Sequence, residues 1–318
     1  MPAVNAGPLA ETVRVSVIIP TKNRAADLER TIDTLLIQTV KPFEIILIDQ
    51  SAKPSFTRNL SIPMHYIHDS ALSGASVARN VGMRGAKGDI WLFLDDDVVL
   101  EPNFIEEILK TYREDVTGVS GIITNYSMPP LRQRFWEKLF QKGPFRDERQ
   151  TVYRNVSRHS QVGSVRVRFF GAGLMSFRAE AIREHRFDPR LTGPSPGEDV
   201  DFCLRLPKES TLLITPRARL IHNRSPENRK SSHWLSVQSQ VFYYLRERHW
   251  RQGMWNNICF AWLKMGYAVL ASYSFVRTGS LEAWHAWCAG AKKGKELAAP
   301  GSSQTNNVIR SSIKGSRR

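Results

Sequence analysis

Apolar residues recur along this chain in two rhythms, and the alternation between them sets out its first two-fifths. Residues 14–19 (RVSVII) make a short β-branched run bounded by Pro20, the pattern of a strand buried on both faces. Residues 25–39 then place Leu28, Ile32, Leu35 and Leu36 at helical spacing. The strand signal returns at 44–48 (EIILI), more weakly at 64–68, and again at 90–94 (IWLFL), with a helical stretch at 75–84 between the last two. Residues 102–112 predict a helix with Phe104, Ile105, Ile108, Leu109 and Tyr112 on one face and Pro102 in the first turn. Residues 116–124 read as one more strand. This order predicts an α/β fold: a parallel sheet with helices on both faces, whose ligands bind beyond the carboxyl ends of the strands.

After Tyr126 the rhythm breaks. Residues 128–163 hold Pro129, Pro130, Gly143 and many arginines with little periodicity, and predict a long loop or a loosely helical insertion. Residues 169–177 return to strand character, broken by Gly171 and Gly173; residues 198–206 and most of 232–296 read as helix. The chain thus divides into a lead (1–12), an α/β domain (13–228), a helical region (229–298) and a Ser-, Asn- and Lys/Arg-rich tail (299–318) that is expected to be disordered.

Charge sharpens this division. The formal net charge of the 318 residues is +15. Residues 131–168 hold ten Lys or Arg against three Asp or Glu, and residues 291–318 hold seven against one, so the rest is nearly balanced. Such an excess points to anionic partners. Nucleic acid is not the expected one, because no helix-turn-helix, zinc-finger or RNA-binding signature accompanies the charge. The three cysteines form no close pair and Met1–Glu11 lacks an apolar run, so a cytoplasmic chain is expected. Residues 258–276 are apolar enough to raise the question of a membrane. Lys264 within them would cost about 2.5–3.5 kcal/mol near a bilayer centre. Packing on the protein or lying in a membrane interface is therefore expected over spanning. Six of the eight tryptophans fall after Lys230, among many basic residues, which suits peripheral contact with an anionic membrane.

The chemistry concentrates at predicted strand ends. Asp95-Asp96-Asp97 follows the strand at 90–94, and adjacent carboxylates serve to hold a hard divalent cation, Mg2+ or Mn2+, that neutralises a diphosphate. In an extended segment Asp95 and Asp97 share a face and Asp96 points away, which makes Asp97 the expected metal ligand and Asp95 its partner or a ribose contact. A solvated acidic turn is the plain alternative. Asp49 ends another strand. The segment Ser73 to Gly82 has small residues from Gly74 onward and a charge at Arg79 suited to phosphate, though tight helix packing would explain it too. Glu198-Asp199 opens a helix, either complementing its dipole or presenting Asp199 as a general base. His222 could complete a metal shell, contact phosphate, or be structural.

Together these segments resemble the family 2 glycosyltransferases of the GT-A fold. The resemblance runs from Val13 to Arg224 and implies a nucleotide-diphospho-sugar transferase with a mostly parallel twisted sheet and, here, a helical C-terminal extension. Pro20, Thr21, Asn23 and Arg24 resemble the nucleotide-binding loop and Asp49 the base contact; Gly74 and Arg79 resemble the donor-side helix, and Asp95 and Asp96 belong to the D-x-D strand end. Gly171, Ala172, Gly173 and, further on, Arg205 fall on the implied acceptor side, with Arg178 beside them. Glu198-Asp199 resembles the motif that carries the base. Gln50 to Pro54 replace the usual acidic or glycine-rich stretch after Asp49, and the Q-x-x-R-W motif of processive members is missing. A non-processive enzyme, rhamnosyltransferase-like or similar, is implied. It would move one sugar with inversion onto a lipid-linked or glycan hydroxyl in cell-envelope polysaccharide synthesis. A sugar nucleotidyltransferase lacks support, since Pro20 to Arg24 has no glycine-rich loop; a non-catalytic basic membrane- or polyanion-binding protein is the other reading.

Overall fold

A computed structural model describes residues 13–126, 128–147, 152, 163–171, 173–191, 197–223 and 231–299. The chain divides into two units: 1–128, 148–188 and 192–225 form the first, and 129–147, 189–191 and 226–318 the second.

The first unit is built on one nine-stranded sheet. Its strands are β1 (Val15–Thr21), β2 (Glu44–Asp49), β3 (Met64–His68), β4 (Ile90–Leu94), β5 (Val98–Leu100), β6 (Val116–Ile123), β7 (Val165–Val167), β8 (Leu174–Arg178) and β9 (Thr211–His222). They lie in the order β3-β2-β1-β4-β8-β6-β9-β5, with β7 also on β9. The first four pair in parallel, as the alternation predicts. Every residue of β1, β2 and β4 is buried, so continuous apolar runs rather than alternating ones are what these positions need.

The sheet is mixed rather than wholly parallel. β8 runs antiparallel to both β4 and β6, and β5 antiparallel to β9. The expected strand at 169–177 is shorter and shifted, since Gly173 has a positive φ and the strand begins only at Leu174. α1 (Ala25–Leu36), α2 (Ala75–Gly85) and α3 (Phe104–Thr111) fill the crossovers. Pro102 lies ahead of the Asn103 N-cap and outside α3, contrary to expectation.

The second unit holds α4 (Leu131–Phe140), a 3-10 turn at Gly143–Phe145, α7 (Ser231–Leu245), a π-helical turn at Arg246–Trp250, α8 (Met254–Thr278) and α9 (Glu282–Ala298). Two short helices, α5 (Ala179–Ile182) and α6 (Glu198–Leu204), belong to the first unit. The residues expected to be a loop or loose insertion of the α/β domain thus contain a regular helix that groups with the C-terminal helices. Aromatic rings make the core here: Tyr267 stacks on Trp287 with centroids 4.2 Å apart, and Phe145 packs edge-on against Trp250. α9 lies tightly on α7 because Gly290 leaves room; a Cβ there would fall 2.0 Å from the Ser236 carbonyl oxygen. The lead at 1–12 and the tail beyond Ala299 lie outside the described residues.

Candidate active site

β4 delivers the aspartate triplet to the carboxyl edge of the sheet, and there the backbone turns at once into β5. The extended alternation expected of Asp95 to Asp97 does not apply, because Asp96 and Asp97 form that turn. The turn is pinned from α1. The Thr31 hydroxyl donates toward the Asp96 and Val98 carbonyl oxygens, 2.8 Å from each, and lies 3.1 Å from the Val98 amide. Asp96 is buried; it accepts from the Thr21 hydroxyl at 2.6 Å and faces Arg24. Burial pushes its carboxyl up to about 6 against the pull of Thr21 and Arg24. Arg24 also reaches Asp97, 3.1 Å away.

Asp97 and Asp95 meet His222. The β5–β9 pairing sets Val98 opposite His222, which brings the imidazole Nε2 to 2.9 Å from Asp97 Oδ1 and 3.9 Å from Asp95 Oδ2. Asn125 fixes the histidine's backbone: its side-chain oxygen accepts from the His222 amide and its side-chain nitrogen donates to the His222 carbonyl, both at 3.0 Å. One ligand atom from each of Asp95, Asp97 and His222 lies within 4.8 Å of the others. Asp97 Oδ1 is buried and faces the His222 ring nitrogen, so an anionic oxygen and an imidazole, both ligand types for a divalent cation, stand side by side. Two carboxylates and an imidazole fit a divalent ion such as Mn2+.

Gly173, assigned to the acceptor side by resemblance, stands against Asp95. Its φ is +84°, and a Cβ there would lie 2.0 Å from Asp95 Oδ2. Only glycine leaves space for this carboxylate. Arg79, read from the sequence as a phosphate partner, is 1% exposed and holds two carboxylates instead: Glu198 at 2.9 Å and Asp95 at 3.1 Å. Burial pushes the Glu198 carboxyl above its ordinary value, and Arg79 draws it back. Asp199, next to Glu198 in the first turn of α6, is also buried.

Other expected residues take structural positions. Asp49 ends β2 fully buried, accepting from the Ser51 and Ser55 amides, the Ser55 hydroxyl and the Tyr66 hydroxyl, all within 2.8 Å. Desolvation raises its pKa, but these hydrogen bonds win and hold it well below the usual carboxylate range. Pro20 is an interior residue of β1, while Asn23 adopts φ +57° in the loop behind it, its amide on the Ser51 hydroxyl. Gly74 is the N-cap of α2. Arg205 closes the end of α6, paired with Asp201 at 2.9 Å and donating to the Arg186 carbonyl. Arg178 is likewise spent on backbone, donating to the carbonyls of Val116 and Arg113. Gly171 lies ahead of β8, and Ala172 and Arg224 fall outside the described residues. Thr31 and Asn125 escape a sequence reading, since a lone Thr in a helix and an Asn after a strand are ordinary.

Comparison with known proteins decides the family. The model of glycosyl transferase family 2 matches residues 16–178. The chain belongs to that family and is a glycosyltransferase. It is 32% identical over 244 residues to the uncharacterized glycosyltransferase YwdF of Bacillus subtilis, covering 74% of this chain and 84% of YwdF. The succinoglycan biosynthesis protein ExoM of Rhizobium meliloti is 26% identical over 284 residues, 82% of this chain and 85% of ExoM. An uncharacterized glycosyltransferase of Haemophilus influenzae is 35% identical over 103 residues, 32% of this chain, and the chain spans only 35% of that relative's length. Among solved structures, the mannosyltransferase PcManGT of Pyrobaculum calidifontis, in complex with GDP-Man and Mn2+, aligns with a TM-score of 0.51 at 15% identity. That alignment covers 90% of this chain and 85% of PcManGT, and it shows that this family member shares the GT-A fold.

Proposed function

We propose that this glycosyltransferase moves one sugar from a nucleoside diphosphate sugar to a hydroxyl by direct displacement with inversion, using a divalent cation, Mg2+ or Mn2+, held by Asp95, Asp97 and His222. The observation that carries this reading is the convergence of those three side chains at the end of β4, with one ligand atom of each within 4.8 Å of the others and Asp97 buried. PcManGT, which holds GDP-Man and Mn2+, supports it by likeness of fold. Bound there, the cation would offset the charge of the departing diphosphate.

The chain's own residues divide the remaining work. Asp199 takes the proton from the acceptor hydroxyl as its oxygen bonds to the anomeric carbon. The bond from that carbon to the diphosphate breaks, and its electron pair leaves with the diphosphate. Glu198, beside the base, is tied through Arg79 to Asp95, so the base end of α6 and the cation corner share one buried ion-pair chain. Arg24, 41% exposed, is a cation that a diphosphate can reach. Pro20, Thr21, Asn23 and Asp49 shape the edge on which the nucleoside lies.

The acceptor is a lipid-linked or glycan hydroxyl, a class supported by ExoM's role in succinoglycan biosynthesis. The enzyme works in the cytoplasm, against an anionic membrane face. Thermal melting with UDP-, GDP- and dTDP-sugars, with and without Mn2+ or Mg2+, tests the donor reading. A donor at a hundred times its Kd stabilises by about 2.7 kcal/mol. One donor class should raise the melting temperature, and only with the cation; no shift with any donor contradicts the proposal.

A further inference from the structure

α8 is apolar on two sides. One side is buried in the second unit, through Cys259, Leu263, Tyr267 and Ala271. The other is exposed. Trp255, Ile258, Trp262, Val269, Tyr273 and Val276 follow one another at steps of three, four or seven and form a single stripe open to solvent, reaching 82% exposure at Val276. α4 adds a second stripe of Leu131, Phe135 and Leu139 at steps of four, with Leu131 78% and Phe135 68% exposed. The two helices touch: the Trp262 indole nitrogen donates to the Leu139 carbonyl at 2.8 Å, and Trp136 packs edge-on against Tyr267. Between them runs a groove of about 550 Å3, lined by Leu139, Trp255, Ile258, Cys259, Trp262 and Met265, with Lys142 as its charged wall.

Large exposed apolar patches are interaction sites, and the charge here selects the partner. α8 carries Lys264 and Arg277 and no acidic residue; α4 carries Arg132, Arg134 and Lys138 against Glu137 alone. Cations beside a Trp- and Tyr-bearing apolar stripe match an anionic headgroup layer over acyl chains. The same cations repel a second copy of this face. α8 has the length and mean hydropathy of a spanning helix, 25 residues and 1.2. Its buried side and Lys264 favour lying in the interface instead. We propose that the joint face of α4 and α8 docks in the plane of an anionic bilayer, its stripe below the headgroups and its groove receiving an acyl chain. This deepens the membrane placement proposed above by naming the surface, and it is independent of the chemistry assigned to Asp97 and Asp199.

The test is sedimentation of the full chain with vesicles of phosphatidylcholine alone or mixed with phosphatidylglycerol. The protein should pellet with the mixed vesicles, with a blue shift of tryptophan emission. It should be released by carbonate. The triple variant Phe135→Ser, Trp255→Ser, Val276→Ser should lose at least about tenfold in partitioning, given the apolar area removed. The pair Lys138→Glu, Lys142→Glu should also bind less, and the deficit should shrink as salt screens the headgroups. Retained cation-dependent stabilisation by the donor shows that a variant is folded, and its absence in the wild type would count against the catalytic reading alone. Wild-type indifference to anionic vesicles, equal partitioning of the triple variant, or resistance to carbonate overturns the proposal. So does a wild-type dimer that the triple variant dissolves, which would assign the face to a second copy.

Discussion

At the carboxyl edge of the sheet, Arg79, Asp96, Asp97 and Glu198 are buried; on α4 and α8, Leu131, Phe135, Trp255 and Val276 stand in solvent. Both regions reverse the ordinary placement of polar and apolar groups, in opposite senses, and such reversals carry more information than a conventional core. At the sheet edge each buried charge is held by a neighbour, Arg79 by two carboxylates, Asp96 by Thr21 and Asp97 by Arg24 and His222. On the helices these apolar groups are exposed, and the surrounding charges are almost all positive. A buried polar group without a partner is costly, so the sheet edge is where substitution should do the most harm. The helical face should tolerate change in folding and register it only in binding.

The largest effect is expected at the base. Asp199→Asn should lower turnover by about 10²–10⁴-fold, the usual contribution of a general base, with donor and cation binding retained. Near-normal turnover, followed by release of nucleoside diphosphate, would remove Asp199 from that role. Gly173→Ala comes next. Its positive φ alone should cost about 1–3 kcal/mol in urea unfolding. The new methyl group should also displace Asp95 and weaken the response to Mn2+. An alanine variant of unchanged stability and cation affinity would show that Asp95 does not need that space. The smallest effect belongs to the helices. Val276→Ser should leave urea stability within about 0.5 kcal/mol of the wild type, as for exposed positions generally. A much larger loss would mean that the face is covered within the protein, and the contrast between the two regions would fail.

Much of the first unit was legible because its signals are local. Ile90–Leu94 and Met64–His68 are read to the residue, since Gly, Asp and Pro interrupt the apolar runs on either side. The motif positions Asp95, Asp97 and Glu198-Asp199 were legible too, as clusters of one charge at predicted element ends. What stayed hidden depends on pairing across distance. Nothing near Arg79 announces that α2 will bury it between Asp95 and Glu198 rather than turn it to a phosphate. His222 gains its meaning only from the register that sets it opposite Val98. The turn at Asp96 and Asp97, which replaces the expected extended backbone, follows from the immediate start of β5. α4 was obscured by its arginines and by the two prolines ahead of it, although Leu131, Phe135 and Leu139 recur at helical spacing.

The measurement closest to the central claim is the binding of Mn2+ followed by electron paramagnetic resonance, in which the free ion's signal falls as protein is added. The wild type should bind one Mn2+ per chain, more tightly with the matching nucleoside diphosphate present. Asp97→Asn and His222→Ala should each weaken that binding by at least about tenfold, or 1.4 kcal/mol, while still unfolding cooperatively. Unchanged Mn2+ affinity in both variants would contradict a cation site at Asp95, Asp97 and His222.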